Sequence, residues 1–355
     1  MKSLWVNKAE LATAQWQQSE TPSLREGQVL LKVENYALTA NNITYAVIGD
    51  GFGYWNFFPT GEADWGIVPV WGFASVVASE HADLRVGERI YGYLPMASHL
   101  VVEPSNVSAA GFVDSAEHRK KLAIIYNQYN RLGMGAGPGE AERALFQPLF
   151  TTSFLIENFM RQSAWYGAQA VLLTSASSKT ALGLALVSKN LSPAIKRIGL
   201  TSAGNLDFVR ETGLYDQVLT YDQLDSLDAT QPIVSVDFAG NGTLLSAIHQ
   251  HWQDNLKFSS LVGATHIEQR KGARSLQGPA PVLFFAPSAA ETLLKEIGPL
   301  AFRTQVDAQF DAFVAGLASH LAIENIRGDS ALKNAYLEML ANKVAPNRGL
   351  ICLMD

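Results

Sequence analysis

Residues 170–183, with the sequence AVLLTSASSKTALG, decide the fold. The apolar run at the start predicts a buried parallel strand, the small residues after it predict a tight turn, and the residues from Lys179 onward predict an apolar helix. In Rossmann domains a dinucleotide pyrophosphate lies at such a turn, because small side chains let the backbone approach the phosphates and the helix N-terminus presents free N–H groups. The segment therefore predicts a nucleotide-binding parallel sheet.

This turn lacks the glycines of the usual Rossmann fingerprint, since serine and alanine stand in their places. Lys179 adds a positive charge that glycine loops do not have. The candidate cofactor-binding residues of the turn are Ser175, Ser177, Ser178, Lys179 and Thr180. The Ser178-Lys179 pair is also compatible with another phosphorylated ligand, such as a coenzyme A thioester.

Composition narrows the class of protein. A chain of 355 residues favours two domains, and 48% hydrophobic with 17% charged residues is typical of a globular enzyme. A formal net charge of −6 argues against nucleic acid as the main partner. The single cysteine, Cys352, excludes disulfides within the chain and Cys-rich zinc sites. We expect no membrane partner and a cytoplasmic location, because no secretory signal or spanning apolar stretch is found.

The pattern of elements changes along the chain. Short strands near 28–36, 68–78, 90–94 and 99–103 predict a small β-rich barrel in the first third. From 146 onward, strands alternate with helices, which predicts a doubly wound parallel sheet; the predicted strands are 170–174, 196–201, 217–220, 233–238, 258–263 and 282–285. Residues 288–344 are predicted to be mostly helical, and 349–354 to form a terminal strand.

Aromatic residues concentrate in the segment 52–60, which continues to Trp65-Gly66. Such a segment either plugs the end of the barrel or lines a pocket. The plug is the favoured interpretation.

Several motifs, each weak alone, occur in an order that is typical of one enzyme superfamily. Residues 86–93, VGERIYGY, are similar to a "GDRV" turn and strand; residues 211–218, ETGLYDQV, are similar to an "LGAD-x-V" segment; residues 236–240, VDFAG, follow as a strand end. Together they resemble the medium-chain dehydrogenase/reductase superfamily, in particular its zinc-independent, quinone-oxidoreductase-like branch. The resemblance implies an α/β fold with a GroES-like β-rich catalytic domain at 1–135, completed by 287–355, and a Rossmann domain at 136–286.

The chain departs from the zinc-dependent members of that superfamily. Where those carry a "GHE" motif, this chain has Trp71-Gly72-Phe73-Ala74, so no catalytic zinc is expected. His249 and His251 do not replace it, because helix positions two apart point to different faces. We expect them to be surface histidines, and we expect no metal site.

The end of the second Rossmann strand indicates the cofactor. NAD sites place a carboxylate there, but residues 200–205, LTSAGN, contain none. Hydroxyl and amide groups can donate to a 2′-phosphate, so NADP is favoured, with Thr201, Ser202 and Asn205 as ligands. Alternatively, these residues simply cap the next helix. Lys196 and Arg197 stand at the start of the strand, which is the end away from the expected ligand.

Further cofactor-binding candidates follow the other strands. Ala239 and Gly240 end the fourth strand, and Gly263, Ala264 and Thr265 end the fifth. His266 contacts a ligand or serves as a cap or core residue. The resemblance also places Thr151, in the hydroxyl cluster 151–153, beside the nicotinamide; the alternative for this cluster is N-capping of its helix.

Candidate catalytic residues follow the strand 28–36. Asn41 and Tyr45 can donate hydrogen bonds to an acceptor oxygen at neutral pH. Thr44 stands where the related reductases often carry an Asp, which removes a charge. Two asparagines after a strand are equally a turn signal.

The sequence thus predicts a zinc-independent, NADPH-dependent oxidoreductase. It would reduce a carbonyl, a quinone or an activated C=C of a small apolar or aromatic substrate, held between the domains. Two alternatives stay open: a catalytically lapsed nucleotide-binding module of the same fold, and a non-redox enzyme for a phosphorylated ligand. The resemblance also implies a homodimer through the strand 282–285, because related enzymes often pair at that sheet edge.

Overall fold

The computed structural model describes residues 1–132, 135, 137, 139–238, 240–262 and 276–354. The chain divides into two compact units. One comprises Met1–Leu145 with Ala322–Asp355, and the other comprises Phe146–Leu321. The predicted assignment of a catalytic domain and a nucleotide domain, with boundaries after 135 and 286, stays a prediction.

The first unit is rich in antiparallel strands. Its elements are β1 (Lys2–Asn7), β2 (Ala14–Gln18), β3 (Val29–Leu38), α1 (Ala40–Val47), β4 (Trp65–Ile67), β5 (Pro69–Ser79), β6 (Arg89–Pro95), β7 (His99–Val102), β8 (Pro104–Ser105), β9 (Gly111–Asp114) and β10 (Gln128–Leu132). Three more come from the end of the chain: β17 (Ala322–Arg327), α7 (Asp329–Leu340) and β18 (Arg348–Leu353).

Two sheets organise these strands. The larger one runs in the order β17-β18-β3-β5-β6-β10-β9-β8, with β7 also paired to β3, and the smaller one in the order β2-β1-β4. Strand β3 lies in the interior of the larger sheet, with neighbours on both sides. Its residues Leu31, Val33 and Tyr36 are fully buried. Strand β18 completes this sheet by pairing antiparallel with β3, in the register Leu350 to Leu38.

The second unit is a parallel sheet with helices between its strands. Its elements are α2 (Glu140–Gln162, which begins before the unit), β11 (Ala170–Leu173), α3 (Lys179–Leu191), β12 (Lys196–Thr201), α4 (Leu206–Glu211), β13 (Gln217–Thr220), β14 (Ile233–Asp237), α5 (Gly242–Trp252), β15 (Leu256–Leu261), β16 (Val282–Leu283) and α6 (Ala286–Leu317). The strand order β13-β12-β11-β14-β15-β16 is doubly wound around β11. Apolar residues fill β11, whose side chains are all buried.

The predicted fold class is therefore confirmed, and some element boundaries are corrected. The region 288–344 is mostly helical, as predicted, but it also contains the strand β17, which pairs in parallel with β18. The helix expected near 150–159 is longer and runs from Glu140 to Gln162, through Pro148. Helix α6 is kinked at Gly298, which has a left-handed φ of 77° and precedes Pro299.

The turn after α2 has an unusual backbone. Ala164, Trp165 and Tyr166 are consecutive non-glycine residues with φ between 45° and 53°. Such a run is sterically strained for L-residues. Two buried hydrogen bonds stabilise the turn. Trp165 Nε1 donates to Ser192 Oγ at 3.0 Å, and Ser192 Oγ donates to the buried Glu157 at 2.7 Å.

Candidate functional site

The turn after β11 has the conformation that the small residues predict. Ser175 has a φ of 45°, in the left-handed region where this loop type usually places glycine. Ser178 is the N-cap of α3, and its Oγ accepts the Ala181 N–H at 3.3 Å. The helix then begins at Lys179. The N-terminus of α3 therefore opens at the carboxyl edge of the parallel sheet.

A buried pair that sequence reasoning missed fixes this edge. Thr174 Oγ1 donates to Asp237 Oδ1 at 2.6 Å and accepts the Phe238 N–H at 2.9 Å. These contacts join the end of β11 to the end of β14. Thr174 directly follows the apolar strand β11, and Asp237 is the last residue of the apolar strand β14. A polar residue at such a strand end is the signal that could have identified them.

The structure brings the β11 turn and the end of β12 together. Asn205 Nδ2 donates to Ser177 Oγ at 3.1 Å. Ser202 is exposed, whereas Thr201 is buried and its hydroxyl has no hydrogen-bond partner among the described residues. The predicted ligands of a 2′-phosphate thus adjoin the predicted pyrophosphate turn. Sequence reasoning missed Tyr221, whose hydroxyl lies 3.4 Å from Ser175 Oγ.

Close packing at this turn depends on Gly199. A Cβ at that position would lie 2.9 Å from the Ala176 Cβ and 2.9 Å from the Tyr215 ring. Tyr215 in turn donates to the Ala176 carbonyl at 2.8 Å. Glycine in β12 therefore lets the turn lie directly on the neighbouring strand.

Lys179 is the cationic residue of the turn, and it is partly buried. Desolvation lowers the pKa of its ammonium group to about 8. The two other basic candidates do not reach this edge. Arg197, near the start of β12, pairs with Asp216 at 2.7 Å, and Lys196 is exposed at the first position of the strand.

The hydroxyl cluster 151–153 lies in the middle of α2, so the N-capping alternative is wrong. The helix begins at Glu140, and the three hydroxyls donate to carbonyls one turn earlier. Thr151 Oγ1 donates to the Gln147 carbonyl at 2.8 Å. Ser153 Oγ also donates to the Thr180 carbonyl at 2.7 Å, so it contacts α3 directly.

The remaining candidates lie at the other strand ends. Gly240 follows β14 with a φ of 65°, and Asn241 caps α5 by accepting the N–H groups of Thr243 and Leu244. Five candidates lie outside the described residues: Ala239, Gly263, Ala264, Thr265 and His266.

In the first unit, the predicted catalytic residues Asn41, Thr44 and Tyr45 all lie on α1. The alternative, that the two asparagines only mark a turn, is therefore wrong. The helix is capped by Thr39 and Asn42, while Asn41 and Tyr45 are one turn apart on the same side. Tyr45 Oη accepts the Trp71 Nε1–H at 3.2 Å and also contacts the Asn41 amide and the Tyr126 hydroxyl. Thr44 Oγ1 donates to the Ala40 carbonyl at 3.3 Å.

Tyr45 belongs to a group of packed rings that we name the aromatic cluster: Tyr45, Tyr54, Phe57, Tyr93 and Tyr126. Ring centroids within it are as close as 4.6 Å, between Tyr45 and Tyr54 and between Tyr93 and Tyr126. The aromatic segment 52–60 supplies Tyr54 and Phe57, which are 6% and 2% exposed. This segment therefore plugs the core of the first unit, as the favoured interpretation predicts.

The expectation of two surface histidines is wrong for His249. Its side chain is fully buried, with Nδ1 2.8 Å from the Gln277 carbonyl and Nε2 3.0 Å from Ser259 Oγ. Burial lowers the pKa of His249, so it is neutral at physiological pH. In the part of the chain that the structure describes, no three His, Cys, Asp or Glu side chains are grouped as metal ligands.

Comparison with family models matches residues 36–345 to a family described as protein of unknown function (DUF2855). The chain belongs to this family. No curated protein matches. Among the residues described, no helix is both long enough and apolar enough to span a bilayer.

Solved structures share the fold of this chain. A putative NADPH:quinone reductase from Mesorhizobium loti is 14% identical with a TM-score of 0.65, over 100% of this chain and 98% of that one. CurA from Vibrio vulnificus, solved in complex with NADPH, is 13% identical with a TM-score of 0.63, over 100% and 99%. The quinone oxidoreductase from Coxiella burnetii is 13% identical with a TM-score of 0.59, over 100% and 99%. The predicted likeness to the medium-chain dehydrogenase/reductase fold is thus confirmed.

Proposed function

We propose that this protein is a zinc-independent, NADPH-dependent oxidoreductase that reduces a carbonyl, a quinone or an activated C=C of a small apolar or aromatic substrate. The observation that carries the proposal is the turn between β11 and α3. It combines a left-handed Ser175, an N-capping Ser178 and the ammonium group of Lys179 at the carboxyl edge of a doubly wound sheet. When bound, the cofactor supplies the hydride.

The residues of this edge suit a dinucleotide. Ser177, Ser178 and Thr180 would contact the pyrophosphate together with the N-terminus of α3, and Lys179 would supply a charge-assisted bond. The Thr201 hydroxyl, buried and without a described partner, supports a bound polar group at the end of β12. Thr151, Gly240 and the residues 263–265 stay candidates for the nicotinamide side.

The choice of NADP over NAD rests on charge. An acidic side chain at the end of β12 would repel a 2′-phosphate, and residues 200–205 contain none. Ser202 and Asn205 would instead donate hydrogen bonds to that phosphate.

On the substrate side, we assign hydrogen-bond donation to Asn41 and Tyr45. Burial raises the pKa of Tyr45 well above its ordinary value, so its hydroxyl stays protonated at neutral pH. A neutral donor of this kind can stabilise the negative charge that develops on a substrate oxygen. Thr44 stays a weaker candidate, because its described hydrogen bond is to the backbone of α1.

Titration of intrinsic and cofactor fluorescence tests the proposal. We expect NADPH to bind at least about tenfold more tightly than NADH, and Lys179→Ala to weaken NADPH binding by about tenfold or more. Lys189→Ala, at the exposed end of the same helix, is the matched control and should leave the affinity for NADPH unchanged. Binding of coenzyme A alone would favour the non-redox alternative, and NADPH binding without reduction of any acceptor would favour a lapsed enzyme.

We also propose a homodimer through the edge of the parallel sheet. Val282, Leu283 and Phe285 are 47%, 37% and 36% exposed, and β16 is the last strand in the sheet order. An exposed apolar edge strand is a template for pairing with a second chain. Leu283→Lys should shift the mass measured by light scattering to that of a monomer, whereas a wild-type monomer would refute the proposal.

A further inference from the structure

The hydrogen bond between Trp71 and Tyr45 has a fixed direction. An indole Nε1–H can only donate, so the Tyr45 oxygen must accept it. The distance between the two atoms is 3.2 Å. One lone pair of Tyr45 Oη is therefore committed to Trp71, and its own O–H must point elsewhere.

A second chain of hydroxyls reaches the same oxygen. Tyr54 Oη lies 3.1 Å from Tyr126 Oη, and the Tyr126 hydroxyl contacts Tyr45. Burial raises the pKa of Tyr45, and the hydrogen bond from Trp71 lowers it. The donation from Trp71 is therefore the one contact of the Tyr45 oxygen described here whose direction the side-chain chemistry fixes.

The position of Tyr45 makes its proton useful. Tyr45 is only 5% exposed, but Asn41 and Trp71, which contact it, are both partly exposed. Trp71 also stacks on Tyr91, with ring centroids 5.9 Å apart and planes inclined by 26°. The hydroxyl is therefore in contact with two partly exposed side chains, one of which is an indole.

We propose that Trp71 is a positioning residue: by donating to Tyr45 Oη it orients and polarises the Tyr45 O–H to donate to the oxygen of a bound substrate. A hydroxyl that accepts one hydrogen bond becomes a stronger donor of another. The proton stays on Tyr45, because burial disfavours the phenolate, so the interaction is a hydrogen bond and not a proton transfer. This inference rests on the proposed reductase function.

The kinetic test uses a double-mutant cycle with NADPH and 1,4-naphthoquinone. We expect Tyr45→Phe to lower kcat by about 100-fold and Trp71→Phe, which keeps the aromatic ring, by about three- to fivefold. KM and NADPH affinity should change little. Since Trp71 acts through Tyr45, the double variant should be no slower than Tyr45→Phe alone. Multiplying effects would overturn the inference.

Infrared spectroscopy supplies a readout that does not depend on turnover. The carbonyl stretch of bound 1,4-naphthoquinone should lie lower in wild type than in Tyr45→Phe, and Trp71→Phe should fall between them. Trp16→Phe removes an indole N–H that bonds the Asp329 carbonyl instead, so it is the control and should match wild type. A wild-type stretch equal to that of Tyr45→Phe, or equal stretches in Trp71→Phe and wild type, would overturn the inference. Loss of NADPH binding in wild type would instead refute the proposed function.

Discussion

Thr174 and Asp237 form the polar link that holds the carboxyl edge of the parallel sheet. The Thr174 hydroxyl is fully buried and donates to an Asp237 carboxylate that is 4% exposed. Because the same hydroxyl also accepts the Phe238 N–H, one side chain serves two groups at the end of β14. The link lies directly before the turn that we propose to bind the pyrophosphate.

Replacing Thr174 with Val should therefore destabilise the second unit. The substitution keeps the shape but removes one hydrogen-bond donor to the buried Asp237 carboxylate and the acceptor of the Phe238 N–H, at a cost of about 1–3 kcal/mol. Urea denaturation followed by circular dichroism measures the loss. Thr230→Val, at an exposed turn where the hydroxyl bonds only Asp228, should be close to neutral.

Lys179 should make NADPH binding depend on pH. Its pKa of about 8 in the free protein means that the ammonium loses its proton within the accessible range. Phosphates favour the protonated form, so affinity should be constant near pH 7 and fall above pH 8, approaching tenfold per pH unit. Fluorescence titrations from pH 7 to pH 9.5 would show this. Lys179→Arg should hold its affinity across that range, and an equally flat wild-type profile would remove Lys179 from the site.

An acidic residue at the end of β12 should alter the cofactor preference. Ser202→Asp places a carboxylate where we propose the 2′-phosphate, so NADPH affinity should fall by about tenfold or more while NADH affinity is kept or improved. Ser226→Asp, an exposed position elsewhere in the second unit, controls for the added charge. If both variants bind NADPH like wild type, the phosphate lies elsewhere.

Gly183 should not tolerate a side chain. A Cβ there would lie 2.7 Å from Ser153 Oγ and 3.3 Å from the Phe150 ring, both on α2. We expect Gly183→Ala to cost about 1–3 kcal/mol through overpacking. Gly204→Ala, where nothing lies within 4 Å, is the control for the loss of glycine. Equal urea midpoints for the two variants would contradict this packing.

Cys352 should be inert in the folded protein. Its side chain is fully buried in β18, and burial raises the pKa of its thiol to about 12. A disulfide reagent at pH 8 should not modify the native protein within an hour, whereas unfolding in urea should release one reactive thiol per chain, since the sequence has 1 cysteine. Fast labelling of native protein would show that β18 opens.

The sequence predicted most of the fold because local patterns determine it. The apolar run of β11, the alternation in β3 and the small-residue turn before Lys179 each specify their element without help from distant residues. Strand β17 was missed because its burial is weak: Ile323 is 39% exposed, so no clear apolar alternation marks it. It forms because β18 offers a parallel partner.

The candidate site was less predictable, since its contacts join residues that are far apart in the chain. Asn205 reaches Ser177 across 28 positions, and Thr174 reaches Asp237 across 63. His249 was misassigned because helical spacing gives the face of a side chain but not which element covers that face. Here β15 covers it, through Ser259.

The pairing of β18 with β3 constrains how the chain folds during synthesis. Residues 146–321 form an uninterrupted compact unit, so its parallel sheet can assemble while later residues are still being translated. Strand β3, in contrast, can pair early with β5 and β7, but its residues 35–38 meet β18 only after residues 348–353 leave the ribosome. Until then, this part of β3 is an open edge, at which we expect nascent chains to be prone to pair with one another.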